Sequence, residues 1–96
     1  MQIRIIPFDS ATLCPGKLAD AEILFTDGLL AGTKLIGFAV WERRGGGRNV
    51  TFPARQYTVN GDRCSYALLR PQADVAETEP VRDAILAAYA AHAEGR

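Results

Sequence analysis

The sequence contains no run of about 20 apolar residues, the length a membrane-spanning helix requires. Its longest apolar stretch lies between Leu29 and Trp41, and Lys34 interrupts it. Met1 to Phe8 has one basic residue and no apolar core of signal-peptide length, so a cytoplasmic location is expected. Cysteine is scarce: Cys14 and Cys64 stand fifty positions apart. A zinc site wants Cys/His pairs about two to five residues apart, so no metal is expected, and both thiols read as free in a reducing compartment. His92 is the lone histidine, and in its Ala-rich segment it reads as part of a helix face. There is no G-x-S-x-G elbow, no H-E-x-x-H and no nucleotide-binding signature. Gly45-Gly46-Gly47 is followed by Arg48-Asn49, not by the Lys-Ser/Thr of a phosphate loop, and reads as a flexible connection between strands. No catalytic residue, cofactor or small-molecule substrate is expected, and the chain reads as not an enzyme.

What the chain does have is the composition of one ordinary globular domain. It has 96 residues, 48% of them hydrophobic and 23% charged, with eleven Lys/Arg against eleven Asp/Glu. These values argue against disorder and exclude both a uniformly basic coat and a polyanionic tail. The length is too short for two independent cores.

Hydropathy patterning predicts a strand, then a loop over Asp9 to Gly16, then a half-buried strand over Lys17 to Thr26. In the latter, Ala19, Ala21, Ile23 and Phe25 alternate with Asp20, Glu22 and Thr26. Asp27-Gly28 predicts a tight hairpin turn into a long strand over Leu29 to Glu42. That strand is apolar on both faces, with Leu35, Gly37, Ala39 and Trp41 on one and Ile36, Phe38 and Val40 on the other. One face is expected to meet a helix and the other a second subunit. Gly32 and Gly37 mark candidate bulges. After the turn at Arg43 to Asn49, a strand over Val50 to Tyr57 is expected to end or kink at Pro53. Asn60-Gly61 then reads as a hairpin turn, and Cys64 to Leu69 as a last strand. Thr78 reads as the N-cap of an amphipathic helix over 78–93, with Glu79 and Pro80 in its first turn. Its apolar stripe is Val81, Ile85, Ala88 and His92. The expected fold is α+β: an antiparallel meander of four to five strands within 17–70, with one C-terminal helix packed on it.

Charge is unevenly distributed along the chain. Residues 1–42 carry net −2, residues 43–70 net +5, and residues 71–96 net −3. The middle segment holds Arg43, Arg44, Arg48, Arg55, Arg63 and Arg70 against Asp62 alone. Guanidinium grips phosphate through a planar fork and stacks on bases, so these six are the candidate nucleic-acid-binding residues. Tyr57 and Tyr66 lie among them as potential stacking surfaces. The competing expectation is that the arginines pair with the acidic flanks.

Motif order from Lys17 to His92 resembles the SpoVG family, the stage V sporulation or septation regulators of bacteria. Ala19-Asp20-Ala21-Glu22-Ile23-Leu24-Phe25-Thr26 resembles that family's second strand, and Phe38-Ala39-Val40-Trp41 its central strand. Val50-Thr51-Phe52-Pro53-Ala54-Arg55 is similar to the short strand ending in Met-Pro-Ser-Lys, with Arg55 at the lysine position. The helix from Pro80 to Tyr89 is similar to the family's closing helix, while residues 1–16 match poorly. The resemblance implies a small sheet with a C-terminal helix, a homodimer built by sheet extension, and DNA or RNA binding in a regulatory role. The alternative is a protein-interaction module of the same fold without nucleic-acid binding.

Overall fold

In Leu18-Ala19-Asp20-Ala21-Glu22-Ile23, small and branched apolar residues alternate with carboxylates, a pattern with one dry face and one wet face. The computed structural model describes residues 1–7 and 15–95 and forms this segment as a strand with alternate residues buried. The expected loop over Asp9 to Gly16 lies mostly outside the described residues, as does Cys14. Among the described residues there are six strands: β1 (Gln2–Pro7), β2 (Lys17–Leu24), β3 (Lys34–Glu42), β4 (Arg48–Thr51), β5 (Ala54–Val59) and β6 (Asp62–Ala67). A 3-10 turn at Val75–Thr78 leads into the helix α1, Glu79–Glu94. The first four strands form an antiparallel meander in the order β1-β2-β3-β4, and β5 and β6 form a separate two-stranded ribbon. The α+β class and the C-terminal helix are as the sequence patterning predicts.

The core lies between one sheet face and the helix. Ala21, Ile23, Phe38, Val40 and Val50 from the sheet enclose Ile85 of α1, and Val81, Leu86 and Tyr89 pack around them. Ile85 is fully buried, which concentrates the helix's attachment at one side chain. The opposite sheet face mixes apolar Leu24, Ala39 and Trp41 with ion pairs of Lys17 to Asp20 at 2.8 Å and Lys34 to Glu22 at 3.4 Å. Trp41 donates from Nε1 to Thr51 Oγ1 at 2.9 Å on that side.

Several expectations are corrected by the structure. β3 begins at Lys34, and residues 25–33 form a loop of successive turns instead of a tight Asp-Gly hairpin. Gly28 and Gly32 both take positive φ there, so Leu29 and Leu30 belong to the turns, with Leu29 fully exposed at 101%. The two faces of β3 also do not follow simple parity. Ala21 faces Phe38 while Ile23 faces Leu35, so β3 carries one extra residue at Ile36-Gly37. That bulge sends Leu35 to the core and leaves Ile36 exposed. It depends on Gly37, whose φ is +108°. A Cβ added at Gly37 would come within 3.1 Å of Pro53 Cβ, because the buried Pro53 crosses directly over the bulge.

Pro53 does more than kink a continuous strand: Phe52-Pro53 separates β4 from β5, and the expected strand over Val50 to Tyr57 is two strands in two sheets. The last strand runs from Asp62 to Ala67, not Cys64 to Leu69. Thr78 is the N-cap residue of α1, with Glu79 and Pro80 in the first turn as expected, but its side chain makes no cap bond and donates to Val75 O at 3.0 Å. The side-chain capping belongs to the 3-10 turn before the helix: Asp74 accepts from Ala76 N, while Glu77 reaches back to the Ala73 and Asp74 amides in a capping box. Among the described residues no helix is long and apolar enough to cross a membrane.

Candidate nucleic-acid interface

The six candidate arginines fall into two groups. Arg43 and Arg44 enter the glycine turn between β3 and β4, and Arg48 leaves it as the first residue of β4. The turn is closed by backbone bonds from Arg43 N to Gly47 O and from Gly46 N to Arg43 O, and all three glycines take positive φ. A run of side-chain-bearing residues would be strained in that path. Arg48 lies over the Tyr89 ring of α1 at 4.8 Å, so one face of its guanidinium is used in holding the turn against the helix. Between turn and helix is a cleft of about 620 Å³, lined in part by Leu18, Glu42, Arg48 and Tyr89.

The second group lies on the ribbon. Asn60 and Gly61 both have positive φ, the geometry of a two-residue turn whose twist matches the flanking strands. Register then fixes the faces: Arg55 opposes Tyr66, Tyr57 opposes Cys64, and Thr58 opposes Arg63. Arg55, Tyr57, Cys64 and Tyr66 therefore share one face, while Gln56, Thr58, Arg63 and Ser65 share the other. Tyr57 and Tyr66 meet edge to face, with centroids 6.0 Å apart at 68°. Arg70 covers the Tyr66 ring at 5.2 Å and is anchored by its Nε donating to Ala67 O at 2.8 Å. Every residue of β5 is exposed, and of β6 only Cys64, a free thiol, is half-buried. The ribbon is thus an arm, tied at its base by Leu68 N donating to Pro53 O at 2.8 Å.

The structure does not gather all six arginines into one patch. It brings Arg43, Arg44 and Arg48 together at the turn and Arg55 and Arg70 onto one arm face, with Arg63 on the reverse. Nor are the arginines neutralised by the acidic flanks: among the described residues none of the six forms an ion pair with a carboxylate. Asp20 and Glu22 are held by lysines instead. Glu77 shares a groove with Arg70, yet its carboxylate accepts from the Ala73 and Asp74 amides at 2.8 and 3.1 Å. Those backbone bonds hold its pKa below the ordinary glutamate value. Sequence reading missed the partition of the arginines between arm faces, although the Asn-Gly turn implies the register that produces it. Comparison with protein-family models, curated proteins and solved structures finds no match to this chain.

Proposed function

We propose that this chain is a non-enzymatic, cytoplasmic regulatory protein resembling SpoVG, which binds DNA or RNA as a homodimer through its arginine-rich turn and arm. The observation that carries this reading is the lack of carboxylate partners for all six arginines among the described residues, in a chain whose net charge is zero. Unpaired exposed guanidinium groups retain their fork donors for phosphate oxygens. Dimerisation by sheet extension would use β1 or β4, the edges of the meander among the described residues. A dimer would present the arginine groups twice along one polyanion.

Salt titration of binding to short DNA and RNA tests the reading. Affinity should fall with salt with a slope of about −0.9 per phosphate contact on duplex DNA and about −0.7 on single strands. The triple variant Arg43→Ala/Arg44→Ala/Arg48→Ala should bind more weakly with a shallower slope. Absence of binding at low salt, or binding indifferent to salt, refutes the proposal. Light scattering at micromolar concentration tests the dimer separately.

A second reading, a protein-interaction module of the same fold, is favoured by exposed apolar residues on and beside the arm, Val59 at 48% and Leu68 at 57%. Partner capture that survives nuclease treatment and the Arg43→Ala/Arg44→Ala substitution would select it.

A further inference from the structure

We propose that the arm face bearing Arg55, Tyr57, Tyr66 and Arg70 is a stacking site for single-stranded nucleic acid, in which Tyr57 takes an unpaired base and Arg55 and Arg70 hold the flanking phosphates. This deepens the functional reading above and rests on it.

Tyr66 is already occupied, with Arg70 over its ring and Tyr57 against it. That arrangement leaves Tyr57 as the ring with no cation over it, 43% exposed against 40% for Tyr66, and without a hydrogen-bond partner among the described residues. A supported aromatic ring on an exposed strand is a platform for any base, because every base has a π-face. Bases within a duplex are covered by their neighbours, so such a platform selects strands whose bases are free to unstack. The charges fit. Arg55 is two residues from Tyr57 on the same face, directly opposite Tyr66, and carries no ion pair among the described residues. Arg70 has its Nε tied to Ala67 O, which orients the guanidinium while leaving its terminal nitrogens to donate. On the arm itself the acid on this face, Asp62, lies opposite Val59 at the tip, beyond Tyr57, and Glu77, which shares a groove with Arg70, has its carboxylate engaged by the Ala73 and Asp74 amides. The competing geometry is the ribbon laid into a duplex major groove, which a two-stranded ribbon also fits. That mode reads base edges and gains nothing from an exposed ring.

Fluorescence anisotropy with labelled oligo-dT, oligo-U and a mixed-sequence duplex separates these outcomes at fixed low salt. Either single strand should bind more tightly than the duplex. Tyr57→Ala should weaken single-strand binding by about five- to 150-fold, the range for one stacked base, and leave duplex binding unchanged. Tyr57→Phe, which keeps the ring, should bind like the wild type. In Tyr57→Trp the added indole emission should be quenched by single strand. Arg55→Ala/Arg70→Ala should reduce the single-strand salt slope by about 1.4, whereas Tyr57→Ala should keep it. Duplex preference, or a Tyr57→Ala protein within twofold of wild type on single strands, overturns the stacking site while leaving nucleic-acid binding intact. Failure to bind any of the three probes refutes the functional reading itself.

Discussion

The substitution Gly37→Ala tests the feature on which both the faces of β3 and the root of the arm depend. At φ +108° an L-residue is strained, at about 1–3 kcal/mol. The new methyl would also stand 3.1 Å from Pro53 Cβ and 3.3 Å from Pro53 Cα, and Pro53 is buried. Forcing a buried neighbour aside adds about 1–3 kcal/mol. Together these give a loss of about 2–6 kcal/mol, which in a domain of this length lowers Tm by on the order of 10 °C or more. The matched control is Gly28→Ala, where φ is +76° and nothing lies within 4 Å of the added carbon. There only the backbone term applies, about 1–2 kcal/mol. Urea unfolding followed by fluorescence of Trp41, half-buried beside Thr51, reads both variants on one scale. Gly37→Ala should lose clearly more than Gly28→Ala, the difference combining the Pro53 contact with the less accessible φ at Gly37. Equal losses would remove Pro53 from above the bulge. A neutral Gly37→Ala would remove the bulge itself, and with it the assignment of Leu35 to the core.

Other outcomes follow from the same structure. Ile85→Ala, at the fully buried helix anchor, should cost about 2–5 kcal/mol in the same unfolding assay, and a loss under about 1 kcal/mol would mean the helix is held elsewhere. Arg48→Ala removes the cation stacked on Tyr89 and should cost about 0.5–1 kcal/mol even without any ligand, separating its fold role from that of the unstacked Arg44. For Glu77, backbone bonds depress the folded-state pKa, so its charged form stabilises the fold above the ordinary glutamate pKa. That contribution is lost as pH falls through the depressed value. Glu77→Gln should therefore be less stable than wild type at neutral pH, with the gap closing in acid, and a gap that persists unchanged at low pH contradicts the capping role.

Elements whose signal is local were legible in the residues. The alternation in β2, the Asn60-Gly61 turn and the stripe from Val81 through Ile85 each specify their element within one turn or pleat. The start of α1 at Thr78 is legible in the Glu-Pro that follows it, and Asp-x-x-Glu at 74–77 marks the capping box of the 3-10 turn that precedes the helix. What was not legible depends on contacts distant in sequence. The parity of β3 changes at the Ile36-Gly37 bulge, where Pro53, sixteen positions away, packs over Gly37. The same Pro53 lies at the break between β4 and β5 in their separate sheets. At the site, the concentration of arginines between 43 and 70 is plain in the sequence, and so is the nearness of Tyr57 and Tyr66. Their freedom from carboxylates is not, because it depends on where the folded chain places each acid: Asp20 and Glu22 on lysines, Glu77 on backbone amides.

The arm is assembled wholly from neighbours: its most distant rung joins Ala54 to Ala67, and its strands are exposed on both sides. Residues on it therefore answer to few structural demands, while those beneath it answer to many. Substitutions at Arg55, Tyr57, Thr58 or Arg63 should leave the packing around Ile85 and Phe38 undisturbed. In evolutionary terms this separates an element free to vary from a frame that is not. Relatives of this chain should accordingly keep the glycine under Pro53 and the helix anchor, and differ most between residues 54 and 67.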